Sequence, residues 1–274
     1  MPDYHAHTFK CFCIWICIST SSFTQAQNIS EDSVNAILKN APAFTIFQDN
    51  YFITGIPLNE EITRQSADVK FQISFKHRLT NAVLPFNTYL FLTYTQRSFW
   101  NVYESSSPFS ESNYNPGLGL GRLIFNNHEF KGAGSVLIEH ESNGRDSIYS
   151  RSINRVSFTY AQVLRQNLII TGQAWIPFSY SSNYLKYIGY GEVTINWRVL
   201  QEKLIFDMAA RKGTEWDWKG SMRTQVSYRL GKKGNIYISM QWFKGYAENL
   251  LNFKQHTNML RLGINLKPSK YFFY

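Results

Sequence analysis

The sequence predicts an all-β fold: a twelve-stranded antiparallel transmembrane β-barrel with a polar interior. Three observations carry this expectation. Apolar and polar side chains alternate along many segments. These segments run to about ten residues, the length of a tilted strand crossing a bilayer. Aromatic residues make up 16% of the 274-residue chain against 17% charged, with no apolar run long enough for a membrane-spanning helix.

The alternation is clearest in four places. In "VKFQISFKHRL", Phe71, Ile73 and Phe75 alternate with Lys70, Gln72, Ser74 and Lys76. In "EKLIFDMAARK", Leu204, Phe206, Met208 and Ala210 alternate with Lys203, Asp207 and Arg211. Met222, Val226, Tyr228 and Leu230 oppose Arg223, Gln225, Ser227 and Arg229. Ile236, Ile238, Met240 and Trp242 oppose Tyr237, Ser239, Gln241 and Lys244. Each is a strand with one apolar and one polar face. A broad apolar face beside charged and amide side chains suits a closed barrel with lipid outside and water inside, because closure satisfies every backbone group.

The same reading, extended along the chain, places strands at Phe44 to Gly55, Val69 to Leu79, Phe86 to Arg97, Gly117 to Asn126, Gly132 to Ser142 and Ser152 to Arg165. It continues with Asn167 to Phe178, Lys186 to Val199, Glu202 to Arg211, Gly220 to Leu230, Asn235 to Leu250 and His256 to Leu266. The segment "NEEITRQSAD" (Asn59 to Asp68) reads as a polar connector. Trp100, Tyr103, Tyr184, Tyr187 and Trp218 fall near strand ends, where interfacial girdles belong, and "YFFY" supplies terminal aromatics. No second domain and no repeat beyond the alternation is evident.

Ahead of the barrel, residues 27–274, Lys10 precedes the short apolar stretch "CFCIWICIS" and a polar region ending near Ala26. This predicts a secretory signal over residues 1–26. Cys11, Cys13 and Cys17 all lie within it, which excludes disulfides, thiolate metal sites and a cysteine nucleophile from the mature chain. Removing the leader takes away one base, Lys10, and one acid, Asp3, so the net charge of +9 persists. The basic residues are scattered along strands rather than clustered, which argues against nucleic acid and suits anionic lipid head groups or lipopolysaccharide.

One segment breaks the apolar pattern of the wall. In "GSVLIEHES", Val136 and Ile138 share a face with His140 and Ser142, and in "SINRVSFTYAQ", Val156 and Phe158 share a face with Asn154. All three polar residues are thus expected on the lipid side. Residues two apart on a strand are separated by roughly 6.5 Å, within reach of an imidazole and a serine hydroxyl. A hairpin centred on Ser147 sets His140 opposite Asn154, with β-carbons about 5 Å apart. The pattern is that of nucleophile, base and orienter. A neutral amide in the third place avoids exposing a carboxylate to hydrocarbon. Glu139 and Glu141 are expected to pair with inward arginines such as Arg155, whereas His77, His128 and His256 show no metal-ligand spacing.

At these residues the chain resembles the outer-membrane phospholipase A family. The resemblance is carried by "YTQRSFW" (Tyr94 to Trp100), "ESSSPFSESNYNPGLGLG" (Glu104 to Gly121) and "HESNGRDSIYSRSINR" (His140 to Arg155). "KYIGY" (Lys186 to Tyr190) and "GYAENLLNF" (Gly245 to Phe253) support it. It implies a calcium-dependent outer-membrane enzyme, working as a homodimer, that hydrolyses acyl esters of phospholipids and lysophospholipids. By motif position, Ser142 is the implied nucleophile, His140 the base and Asn154 its orienter. The implied calcium ligands are the main-chain carbonyl of Arg145, the hydroxyl of Ser150 and Ser106 from a second copy of the chain. Gln96, outward with Leu90, Leu92 and Tyr94, matches a glutamine that bonds across the dimer interface.

Two departures from the family pattern bear on calcium. Asp146, Ser147 and Ile148 stand where Ser-Asp-Pro is common, shifting the acid by one, and Asn183 replaces an aspartate. The principal serine and carbonyl ligands are retained, while a secondary calcium site is not carried over. Two alternatives to a phospholipase stand beside this reading: a lipid A deacylase, and a non-catalytic porin-like barrel.

Overall fold

A computed structural model describes residues 42–80, 84–231 and 234–268. The expected signal segment and the terminal aromatics lie outside these residues. The strands are β1 (Phe44–Ile46), β2 (Asn50–Pro57), β3 (Asp68–Arg78), β4 (Tyr89–Trp100), β5 (Phe109–Asn126), β6 (Glu129–Ser142) and β7 (Ser152–Arg165). They continue with β8 (Leu168–Tyr180), β9 (Gly191–Val199), β10 (Leu204–Lys212), β11 (Gly220–Arg229), β12 (Ile236–Gly245) and β13 (Thr257–Leu266). Each strand from β2 to β13 pairs antiparallel with the next, and β13 closes on β2. The result is a closed twelve-stranded barrel. The short β1 belongs to the same first stave as β2, since both pair with β3.

The barrel is apolar outside and polar inside. On β3, Lys70, Gln72, Ser74 and Lys76 are buried while Ile73 is exposed. On β12, Ser239 and Gln241 are buried, and Ile238 and Met240 are exposed. A lipid-facing wall has this distribution, the reverse of a water-soluble sheet.

Paired charges line the lumen. Arg261 grips Asp68 with two bonds of 2.7 Å and Glu248 through Nη1 at 2.7 Å. Lys70 donates to Glu248 at 2.8 Å and to Gln241 at 3.0 Å. A second cluster holds Lys267 between Asp49 at 2.8 Å and Asp207 at 2.7 Å. Asn265 and Gln225 also donate to Asp49. This explains the break expected to be continuous strand from Phe44 to Gly55: the chain leaves the wall at Phe47–Asp49, and Asp49 enters the polar interior.

The segments joining β2 to β3, β4 to β5, β6 to β7, β8 to β9, β10 to β11 and β12 to β13 all emerge at one rim. The opposite rim carries tight turns such as Asn127–His128 and Gln166–Asn167. Barrels of this type present their longer loops outward and their short turns inward.

At the long-loop rim the mouth is capped. The segment Lys186–Tyr190, expected to open a strand, instead begins with a single helical turn, α1 (Leu185–Ile188). Leu185 and Ile188, three apart, bury against Ile153, Trp175 and Tyr184. Gly189 follows at φ 64°, where an added Cβ would lie 1.9 Å from the Lys212 carbonyl; only glycine fits. The expected strand to Leu250 likewise stops at Gly245. Its remainder joins the loop Tyr246–His256, which folds inward and buries Ala247, Leu250 and Phe253 in the same cluster. Tyr184, expected in an interfacial girdle, is buried there edge-on to Phe253, and Tyr187 packs on the same ring, whereas Trp218 is exposed.

Candidate active site

β5 begins at Phe109 rather than at Gly117. The additional residues conceal their strand period because their outward positions, Ser112, Tyr114 and Pro116, are not a hydrophobic series. They lie beside the segment that holds the candidate residues. Ile73 pairs with Gln96, Gln96 with Tyr114, Tyr114 with Ser142, and Ser142 with Ser152. Gln96 therefore shares a cross-strand row with Ser142 on the outer wall. Tyr94 donates its hydroxyl to Gln96 at 3.1 Å, Gln96 donates to Ser98 at 3.2 Å, and Ser98 lies 2.8 Å from Ser112. The polar groups are satisfied in a chain, as lipid-facing polar groups must be.

His140 pairs directly with Asn154, the register of a hairpin centred on Ser147. Its Nδ1 lies 2.7 Å from Asn154 Oδ1. An amide oxygen only accepts, so Nδ1 is the donor in this contact, and in the neutral ring this leaves Nε2 as the acceptor. The neighbouring outward residues Val136, Ile138 and Phe158 are 43%, 61% and 44% exposed, which fixes the face. Ser142 ends β6 on that face, two residues beyond His140, and among the described residues its hydroxyl makes no hydrogen bond. Catalytic hydrogen bonds are commonly loose without substrate. Beyond Asn154 a bulge disrupts β7–β8 pairing: Asn154 pairs with Ser179 but Arg155 with Pro177. Such bulges re-aim side chains, and this one leaves Phe178 exposed beside the amide.

On the inner face, Glu139 accepts hydrogen bonds from Arg155 and Ser157, and Arg155 also reaches Glu141 at 3.5 Å. Both carboxylates are thus paired, as the alternation predicts.

Residues 143–151 between β6 and β7 form a tied loop. Asn143, buried, accepts from Arg151 N–H at 2.9 Å and from Arg145 N–H at 3.4 Å, and donates to the Tyr149 carbonyl at 2.9 Å. Its own N–H donates to the Arg151 carbonyl. Gly144 turns at φ 64° beneath Tyr114, and Ser147–Tyr149 form one 3-10 turn. This arrangement leaves the Arg145 carbonyl and the Ser150 hydroxyl without intramolecular partners among the described residues. Asp146 is exposed next to them. Among the described residues there is no cluster of three or more His, Cys, Asp or Glu suited to a metal. The available donors are hard oxygens of the kind calcium accepts. Ser106 is exposed on a separate rim loop between β4 and β5 and shares no hydrogen bond with this one. Asn183, at φ 64°, donates to Ser182.

The comparisons with known proteins place these features in a family. The phospholipase A1 family profile matches residues 38–266. The chain belongs to the phospholipase A1 family, whose members are phospholipid ester hydrolases. Phospholipase A1 of Klebsiella pneumoniae is 33% identical over 211 residues, covering 73% of this chain and 69% of that one. Phospholipase A1 of Escherichia coli K12 is 30% identical over 213 residues, 73% of this chain and 68% of that one. Outer membrane phospholipase A from Escherichia coli superposes with a TM-score of 0.72 at 24% identity, covering 82% of this chain and 98% of that one. The crystal structure of the Salmonella typhi outer membrane phospholipase dimer with bound calcium gives 0.74 at 24% identity, over 85% and 96%. At that identity the two structures establish the shared barrel.

Three residues with evident structural roles at the site escape a reading by periodicity: Asn115, Asn143 and Glu111. A proline within a strand, Pro116, is the signal for the first, since a missing N–H demands a substitute donor. The others act through loops, which alternation does not describe.

Proposed function

We propose that this phospholipase A1 family member resides in an outer membrane after loss of its signal segment, and hydrolyses acyl esters of phospholipids and lysophospholipids at Ser142. The observation that carries the reading is the 2.7 Å contact between His140 Nδ1 and Asn154 Oδ1 on the lipid-facing wall, with Ser142 on the same face.

In this mechanism Nε2 of His140 takes the Ser142 hydroxyl proton as Oγ attacks the ester carbonyl. The protonated ring then gives its proton to the departing lysolipid oxygen. A water, deprotonated by the same nitrogen, cleaves the acyl-serine to release the fatty acid, and the ring returns that proton to Ser142 Oγ. Asn154 holds the ring in the tautomer that can accept. The Arg145 carbonyl, the Ser150 hydroxyl and Ser106 of a second copy are the groups that would hold calcium. When bound, calcium supplies positive charge for the carbonyl oxygen. Dimerisation would bring Ser106 to this loop. The outward row containing Gln96, with Ile73, Leu92, Leu118 and Leu120 exposed around it, is the wall we assign to the second copy. The Salmonella typhi outer membrane phospholipase, a dimer with bound calcium, supports calcium and a second copy as partners of this chain.

Treating the purified protein with a long-chain sulfonyl fluoride tests the reading. Calcium-dependent modification of the peptide containing Ser142, abolished in Ser142→Ala, is the expected result. Labelling elsewhere, or undiminished phospholipid hydrolysis by Ser142→Ala, refutes it.

A further inference from the structure

The loop that bears Arg145 and Ser150 is fastened to the barrel through one buried carboxylate. Glu111, on β5, is 1% exposed. Its Oε1 accepts from Asn113 at 2.8 Å and from the Leu251 N–H at 3.1 Å. Its Oε2 accepts from Arg145 Nε at 3.1 Å. The Arg145 guanidinium also donates through Nη2 to the Ser110 carbonyl, the neighbour of Glu111. By contrast, the Arg145 main-chain N–H has only a long 3.4 Å contact with Asn143. The side chain is thus the firmest anchor of this residue, since charge-assisted bonds are shorter and stronger than neutral ones.

The other end of the loop has a parallel arrangement. Arg151 donates to the carbonyls of Ile148 and Ser150, and its guanidinium lies 6.0 Å from the Phe253 ring centroid. Phe253 and Leu251 belong to the same capping loop, Tyr246–His256. Both flanks of the donor loop therefore bear on the cap, and Glu111 touches the cap and the donor residue at once.

We propose that Glu111 is a positioning residue for the calcium site: by holding the Arg145 side chain against the capped mouth, it fixes the place of the Arg145 carbonyl. This rests on the reading of that carbonyl as a calcium donor. Glu111 touches neither substrate nor metal, and its effect passes through Arg145.

The test is a calcium-binding isotherm of the detergent-solubilised mature protein, with tryptic cleavage after Arg145 measured in chelator. Glu111→Gln retains an oxygen for the Leu251 N–H and loses the charge-assisted bond to Arg145. The calcium Kd should rise about tenfold or more, with kcat at saturating calcium changed by less than about twofold. Cleavage after Arg145 in the calcium-free protein should be faster. Arg145→Ala keeps the carbonyl while deleting the anchor, so it should give the same Kd shift, with no further shift in the double variant. It also serves should Glu111→Gln fold poorly.

Ser150→Ala separates the two readings. If the wild type binds no calcium, or binds it with an affinity indifferent to Ser150→Ala, the metal site itself is misassigned and the inference falls with it. If Ser150→Ala weakens binding while Glu111→Gln and Arg145→Ala do not, only the role of Glu111 is overturned.

Discussion

The side-chain amide of Asn115 donates to the main-chain carbonyl of His140 at 3.1 Å, in the place of a ladder bond that Pro116 cannot make. The pairs Tyr114 with Ser142 and Gly117 with Glu139 set Pro116 opposite His140, and Asn115 and Pro116 pair with β4 but not with β6. Proline lacks the N–H that this carbonyl requires, and the preceding side chain supplies one. The backbone beneath the imidazole is therefore held by a residue that points into the barrel. Asn115→Ala should lower unfolding stability by about 1–3 kcal/mol, the cost of an unsatisfied carbonyl. Adding Pro116→Ala, which restores the N–H, should recover much of it. Denaturant unfolding in micelles measures both; equal stability of Asn115→Ala and wild type would show that lumen water replaces the amide.

Asn154→Ala removes the acceptor that fixes the His140 tautomer. Hydrolysis of micellar phospholipid at saturating calcium should fall by about 10²-fold or more, the scale of general-base catalysis. KM should change little, because the amide does not grip the lipid. A loss confined to KM would assign Asn154 to substrate binding.

Mixing inactive variants tests whether the site is shared between copies. Ser106→Ala chains keep Ser142, and Ser142→Ala chains keep Ser106, so a mixed dimer contains one complete set. Co-refolded variants should regain up to about a quarter of wild-type activity for random pairing in a twofold dimer. Absence of any recovery would place both serines in one chain's site or remove Ser106 from the metal.

Glu248, in the capping loop beyond β12, sits between Arg261 and Lys70. Burial alone would push its carboxyl upward, but the two cations outweigh this and hold it down to about 2, from an ordinary 4.5. The carboxylate's stabilisation is fully present above the ordinary value and is lost as pH falls through about 2. Glu248→Gln, by leaving two buried cations short of a partner, should cost about 3–5 kcal/mol at neutral pH. The gap to wild type should narrow on acidification below the ordinary carboxylate range. A gap independent of pH would mean that Glu248 acts by shape alone.

The wall was legible in the sequence because lipid and lumen enforce a strict period of two. Lys70, Gln72, Ser74 and Lys76 alternate with apolar neighbours for that reason, and the register setting His140 opposite Asn154 follows from the hairpin's midpoint. The caps were not legible. Leu185 and Ile188 read equally as strand or as one helical turn, and only burial against Phe253, far along the chain, decides between them. Phe109–Pro116 hid as strand because its outward side faces no continuous apolar environment. At the site, the residues of one face could be grouped by parity, whereas the joining of Glu111 to Arg145 depends on a loop folding over the mouth, which no local pattern encodes.

The outward placing of the candidate residues has a consequence for how such a protein works in a cell. With the proposed site on the outer surface, lipids arrive and leave sideways within the leaflet. Turnover would then depend on crowding in two dimensions, through how often copies and lipids collide, rather than on any concentration in the surrounding water.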